Sequence, residues 1–522
     1  MEIKNKSKKQ ILSIFYLLVT IGLGLFVYVD YINQALPYDD AYSTLMIRLP
    51  YADIYNLTAT DVHPPLFYWG LKTFTLLFGE SIFVMRLFSL VGFIAILLLA
   101  QFPIRRLFGL RVAMFFTLLL FLFPVTQYYI TDIRMYSWCM FAVLACGLFA
   151  YDVYARGKMT DWIKMLAMSI LAAYLHNYAL MGVFGIYTIL FFFMIRNKKK
   201  WVYVIVCGLI FILIYSPWIL HLLWQINEVQ RTYWIKPLGI NDIFLHIYYF
   251  YSPKETWMDF TYYTKVQMIV FLVLIMGCHL FLMLKVFADG YKDRKQKGQA
   301  WHTACLILVT ITAFAFPIIM GFIISFTYMP IMVPRYMVCS FGLLVLGMSI
   351  AFAYISRQRK MRLLLLASLL LLSVCTIARY RAGYIFYKQT QAEYRQIKDF
   401  LKDDNSVFLS HFESYSTLCR LEVLTPGHKA YVFMPFNWHR DFQPFTIEMV
   451  RGGQKFDESI ILVQGVMLNR KTKEYEIDFP EFTEAMSQNY EITGSMQTSD
   501  FALYRMKAKT VIVDGDTADK KR

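Results

Sequence analysis

Runs of about twenty apolar residues recur along roughly the first 380 positions, each long enough to cross a bilayer core as a helix. They fall at about 11–29, 82–104, 111–124, 135–154, 163–178, 179–195, 201–219, 266–287, 301–325, 336–356 and 362–378. The pattern therefore predicts an α-helical polytopic membrane protein with about eleven transmembrane helices. The first run is too long for the apolar region of a cleaved signal and lacks a small-residue cleavage site, which makes it a signal anchor. Pro64–Phe78 is apolar but short for a crossing. Counted as one, it would put Arg105 and Arg106 outside and invert every later loop. It reads instead as a juxtamembrane or re-entrant helix, opened by Pro64-Pro65, where missing N–H groups cost nothing.

From about Arg379 onward the chain turns polar. Apolar runs Val407–Phe412, Ala430–Met434 and Ile460–Leu468 read as short strands, alternating with helix-like stretches Ala392–Lys402 and Pro480–Ser487. That alternation predicts a small C-terminal α/β domain. The expected organisation is a transmembrane domain over 1–380, an extracytoplasmic α/β domain over 381–513 and a disordered tail over 514–522.

Charge changes this picture only by orienting it. Charged residues make up 17% of the chain, against about 25% in soluble proteins. The net charge of +16 is concentrated in short loops: Lys4–Lys9, Arg105–Arg111, Arg156–Lys164, Arg196–Lys200, Lys292–Lys297 and Arg357–Arg362. With the N-terminus inside, every one of them lands in the cytoplasm, as the retention of Lys and Arg on that side requires. The excess is topological and calls for no nucleic-acid partner. Eight cysteines are scattered without a C-x-x-C pair, so neither a metal knuckle nor a disulfide framework is expected.

The same topology leaves five stretches facing outward, and polar residues gather in them. Pro37-Tyr38-Asp39-Asp40-Ala41-Tyr42 carries two adjacent acids, which a helix start would explain. Asp61-Val62-His63-Pro64-Pro65 adds an acid and an imidazole, and a lone histidine is more often a hydrogen-bonded structural residue than a catalyst. Asp132-Ile133-Arg134-Met135-Tyr136 could be a local ion pair at a helix mouth, worth little if exposed. His176-Asn177 fits simple turn chemistry, and Arg335 in Pro334-Arg335-Tyr336 could snorkel to headgroups. Together they put acids, imidazoles and guanidinium groups on one face, at the ends of five segments. That set suits a reaction needing a base and an anion clamp, because the arginine fork binds two phosphate oxygens and a carboxylate can take a hydroxyl proton.

These motifs, with Asp61-Val62-His63-Pro64-Pro65-Leu66 the most specific, resemble the bacterial branch of the protein O-mannosyltransferase-like superfamily. These are multi-spanning glycosyltransferases of the GT-C fold, related to family 39 and to the aminoarabinose transferases of lipid A. The resemblance covers roughly residues 30–340. It implies a polyprenyl-phosphate-linked sugar as donor and transfer outside the bacterial cytoplasmic membrane, to a hydroxyl on a glycan, glycolipid or protein. By position it makes Asp39 the catalytic base, with Asp40 standing where many relatives carry Glu, so the choice between the two stays open. Asp132 would orient the acceptor or a divalent metal cation, and Asp39 and Asp132 are the candidate ligands for such an ion. Arg335, aided by Arg134, would lie near the lipid phosphate, with His63, Tyr136 and His176 completing the substrate site. Some relatives carry a Glu-Lys pair before the two prolines that helps bind metal or phosphate. Val62 and His63 stand there in this chain, and metal dependence stays open.

One carboxylate and no glycosyl-enzyme intermediate imply a single displacement with inversion. A transporter or flippase of lipid-linked glycans would instead place ionisable residues near the bilayer midplane. A glycan polymerase or ligase would share the donor class but need a larger and more basic outer loop, and an assembly scaffold would have no use for this set. In the C-terminal region His411, Glu413, His439 and Arg440 could touch an acceptor, although a solvated surface explains them equally.

Overall fold

The structure, a computed structural model, describes residues 16, 18–22, 36, 38–232, 235, 237–251, 262–402, 405–411, 415–426, 428, 430–433, 459–468, 474–477 and 480–509. Among these, eight helices are long and apolar enough to cross a membrane: Ile82–Phe108, Tyr136–Arg156, Asn177–Arg196, Val202–Asn227, Ile269–Asp293, Gln299–Thr327, Pro334–Ile355 and Arg359–Ala378. The chain is a multi-pass membrane protein. The expected count of eleven is not confirmed among the described residues. Leu110–Leu122 has 13 residues and Met159–Leu175 has 17, so at 1.5 Å per residue they extend only about 20 and 25 Å. The run expected at 11–29 lies mostly outside the described residues.

Pro64–Phe78 forms a helix over Leu66–Phe78, 13 residues long and likewise too short for a crossing. It follows Pro65 and stops at Gly79, whose φ of +97° a residue with a Cβ would adopt only under strain. Phe67, Tyr68, Leu71 and Thr75 form its buried face, while Leu76, Leu77 and Phe78 stay exposed.

The chain divides into two compact units, residues 1–34 with 47–385 and residues 35–46 with 386–522. In the first, the ends of successive helices sort by chemistry. Arg106 at the end of Ile82–Phe108 pairs with Asp152, and Arg156 pairs with Asp152 at 3.1 Å and Asp161 at 2.6 Å. These contacts gather the ends of three helices. The opposite ends carry Ser81, Tyr136 and the His176 turn.

The second unit is a layered α/β fold. Its strands are β1 (Val407–His411), β2 (Ala430–Phe433), β3 (Ile460–Leu468), β4 (Tyr475–Ile477), β5 (Tyr490–Gln497) and β6 (Phe501–Ala508). The order is β2-β1-β3-β6-β5, parallel over β2-β1-β3 and antiparallel over β3-β6-β5, with β4 antiparallel to β3. Ile461 and Val463 pack on one face with Ile397, Leu418 and Leu421, whereas Ile460 and Leu462 pack on the other with Phe482 and Met486. A strand covered on both faces has no polar side, which is why β3 reads as a continuous apolar run. The strands expected from 407, 430 and 460 are found. The helix expected over Ala392–Lys402 is instead the last part of a continuous helix Arg359–Phe400. The hairpin β5–β6 and the helix Tyr415–Leu424 were not expected. Glu413, His439, Arg440 and the tail 514–522 lie outside the described residues.

Candidate functional site

At the end of the first unit opposite the Asp152 ion pairs, His176 is the centre of the cluster. It caps the N-terminus of Asn177–Arg196, its Nδ1 accepting the Tyr178 backbone N–H at 3.0 Å. That bond fixes the tautomer of the neutral ring, because the accepting nitrogen carries no proton and Nε2 must. His176 is 2% exposed, and its Nε2 has no hydrogen-bond partner among the described residues. Burial and the charges of Arg134 and Arg335 push its pKa down to about 3. His63 is also buried, its ring centroid 5.0 Å from that of His176. Burial, then Arg134, His176 and Arg335, hold it well below the ordinary imidazole range, so both rings are neutral at physiological pH.

The rest of the cluster comes from distant positions. Tyr336 and Tyr136 place their rings 5.0 and 5.9 Å from His176. Arg335 is the second residue of the 3₁₀ turn Pro334–Met337, ahead of the helix that begins at Val338. The segment before it is held by Tyr178, whose hydroxyl donates to the Ile331 carbonyl at 3.0 Å. Arg134 is 3% exposed and donates from Nη1 to the Tyr68 hydroxyl at 3.1 Å. The His63 loop is tied to the helix cap by the Asn177 amide, which donates to the Val62 carbonyl at 3.0 Å. Asp132 is buried one step away. Its backbone carbonyl accepts from Ser89 Oγ at 2.6 Å, and its charge joins burial and neighbouring phenols in raising the Tyr129 pKa well above its ordinary value.

The fold thus brings together His63, Arg134, Tyr136, His176 and Arg335 and sets Asp132 beside them. Asp39 and Asp40 belong to the second unit, in the first turn of helix Tyr38–Met46, which packs against helix Tyr415–Leu424. Asp40 is 1% exposed and Asp39 is half-buried. Among the described residues, no three His, Cys, Asp or Glu side chains gather to hold a metal ion.

Sequence reasoning missed Tyr68, Arg86, Ser89 and Tyr178. All four sit inside apolar runs, where a hydroxyl or a single charge barely alters the hydropathy. Arg86 is the one with a readable signal, since a charge within a membrane span is costly enough to ask for a reason. It is 2% exposed, three residues before Ser89 on helix Ile82–Phe108.

Chemically, the arrangement is suited to an anion. Two guanidinium groups, a buried imidazole N–H and the N-terminus of a 20-residue helix act at one place. The family model of dolichyl-phosphate-mannose-protein mannosyltransferases matches residues 62–221, which include His63, Asp132, Arg134, Tyr136 and His176. The structure of ArnT from Cupriavidus metallidurans in the apo state matches over 95% of this chain and 98% of that one, with 12% identity and a TM-score of 0.57. The same ArnT bound to undecaprenyl phosphate matches over 94% and 98%, with 13% identity and a TM-score of 0.54. The chain has an ArnT-like GT-C fold. The match covers residues of both units, so the C-terminal sheet lies within the matched length. No curated protein sequence matches the chain.

Proposed function

We propose that this protein moves a single sugar from a polyprenyl-phosphate donor to an acceptor hydroxyl on the extracytoplasmic face of the membrane. The observation that carries the reading is the placement of Arg134 and Arg335 against two buried, neutral imidazoles at one end of a GT-C helical bundle. A polyprenyl phosphate needs cationic recognition at the end of an apolar path, and the ArnT structure with undecaprenyl phosphate shares this fold.

In the reaction, the acceptor oxygen attacks the anomeric carbon from the face opposite the phosphate. The bond between that carbon and the phosphate oxygen breaks, and the lipid phosphate leaves with its electron pair. Arg335 and Arg134 stabilise the developing negative charge, and His176 donates Nε2–H to a phosphate oxygen. Burial keeps that donor neutral, so it adds a hydrogen bond without a titrating charge. Asp39 takes the acceptor proton as general base, a role supported by its position in the motif that resembles the family, with Asp40 next to it. Asp132 orients the acceptor. A single displacement of this kind inverts the anomeric centre. With the N-terminus and the basic helix ends cytoplasmic, the His176 end faces outward.

The test is to incubate the purified protein in nanodiscs with radiolabelled polyprenyl-phosphate sugars and an acceptor extract. Transfer of label with equimolar release of polyprenyl phosphate supports the reading. Movement of intact donor across the bilayer, without cleavage, would replace it with a transporter.

A further inference from the structure

The opposite end of the bundle carries a second feature that the transfer reaction does not use. A groove of about 800 Å³ opens between helices Ile82–Phe108, Tyr136–Arg156 and Met159–Leu175. Its walls are apolar, with Leu98 and Phe102 of the first helix 49% and 69% exposed and Phe141 and Phe149 facing from the second. Its rim is cationic, formed by Arg105, Arg106 and Lys164. Arg106 is committed to Asp152, while the Lys164 ammonium lies 5.8 Å from the Phe149 ring centroid. Between rim and wall sits Gln101, whose buried amide nitrogen has no hydrogen-bond partner among the described residues.

The backbone makes this shape. Ala100–Ile104 is a π-helical turn containing Pro103, and the Arg105 amide reaches back to the Ala100 carbonyl. Proline removes one backbone donor and the wider turn absorbs the loss. The groove is remote from the anion cluster: Arg105 follows Ser89 by 16 residues, about 24 Å along a helix.

We infer that this groove is a binding site for an anionic glycerophospholipid. One acyl chain lies along Leu98, Phe102 and Phe141, an ester carbonyl accepts from Gln101, and the phosphate rests between Arg105 and Lys164. Three chemistries thus appear in the order such a lipid presents them: hydrocarbon, ester, phosphate. A polyprenyl phosphate has the first and last but no ester carbonyl to meet the buried amide. The inference does not depend on the proposed transfer reaction.

The test is native mass spectrometry of the full chain, titrated with phosphatidylglycerol, phosphatidylcholine and undecaprenyl phosphate. The wild type should retain one phosphatidylglycerol about tenfold more tightly than phosphatidylcholine, as two surface cations favour an anionic headgroup. Arg105→Gln with Lys164→Gln should erase that preference. Gln101→Leu should weaken both phospholipids alike and leave the preference intact. Equal affinity for the two phospholipids in the wild type overturns the proposal, and that measurement needs no variant to fold. A preference surviving the double substitution overturns it as well. Undecaprenyl phosphate binding there as tightly as phosphatidylglycerol would reassign the groove to the donor lipid.

Discussion

At one end of the helical bundle the guanidinium groups of Arg106 and Arg156 meet the buried carboxylates of Asp152 and Asp161. At the other end Arg134 and Arg335 act on two imidazoles that burial keeps neutral. The first arrangement ties three helix ends together with opposite charges. The second sets positive charge beside neutral N–H donors, which suits an anion from outside the chain. Identical residue types therefore do different work according to what is buried beside them.

The sharpest test of that contrast is on catalysis. Asp39→Asn should lower transfer by about 10³-fold or more, in keeping with loss of a general base, while donor affinity stays within about twofold. Full activity in a transfer assay would remove Asp39 from the mechanism and leave Asp40 as the acid to test.

Arg335→Gln comes next, with an expected loss of about 10²–10³ in kcat, the effect of removing one stabiliser of a developing anion. Arg335→Lys should recover little, because an ammonium lacks the planar fork. A loss confined to KM would show ground-state binding only.

At the other end the expected effect is on stability rather than rate. Asp152→Asn leaves Arg106 and Arg156 without their shared carboxylate and should cost about 1–3 kcal/mol, visible as a lower Tm in detergent. Activity per folded molecule should be unchanged. A rate loss without a Tm shift would erase the distinction between the two ends.

The smallest expected effect is of pH. His176 is held near 3 in the fold against 6.5 ordinarily, so the unfolded chain takes up a proton that the folded site refuses. Its contribution to stability is present above about 6.5 and is lost as pH falls towards 3. The rate per folded molecule, read between pH 8 and 6 (a window that brackets about one imidazole titration), should show no histidine step. A step near 6.5 that vanishes in His176→Asn would mean the ring titrates in the working enzyme.

Much of the fold was legible because it depends on local sums. Twenty apolar residues are a span wherever they lie, and all eight long helices coincide with apolar runs. Strand β3 was legible for the same reason, being apolar on both sides. The β5–β6 hairpin was not, because Glu491 and Ser495 alternate with weakly apolar partners on an exposed strand, and its turn depends on Thr498 Oγ1 accepting the Phe501 amide. In the site, the charged and imidazole residues stood out as departures from apolar surroundings. Tyr68, Ser89 and Tyr178 did not, since their role lies in a single hydroxyl aimed at one partner.

The sequence by itself determined that the chain crosses a membrane many times, which helix ends carry the basic residues, and which polar residues cluster at the opposite ends. Transfer free energies of successive side chains add along a segment, so no knowledge of neighbours is required. Tertiary structure alone decided that His176 accepts at Nδ1 and presents Nε2–H, that Arg134 is steadied by Tyr68, and that Arg106 is satisfied by Asp152. It also decided that helix Tyr38–Met46, with Asp39 and Asp40, packs against helix Tyr415–Leu424 of the C-terminal unit. Protonation state, tautomer and ion pairing are set by whatever lies within a few ångströms, and those neighbours come from positions far apart in the chain.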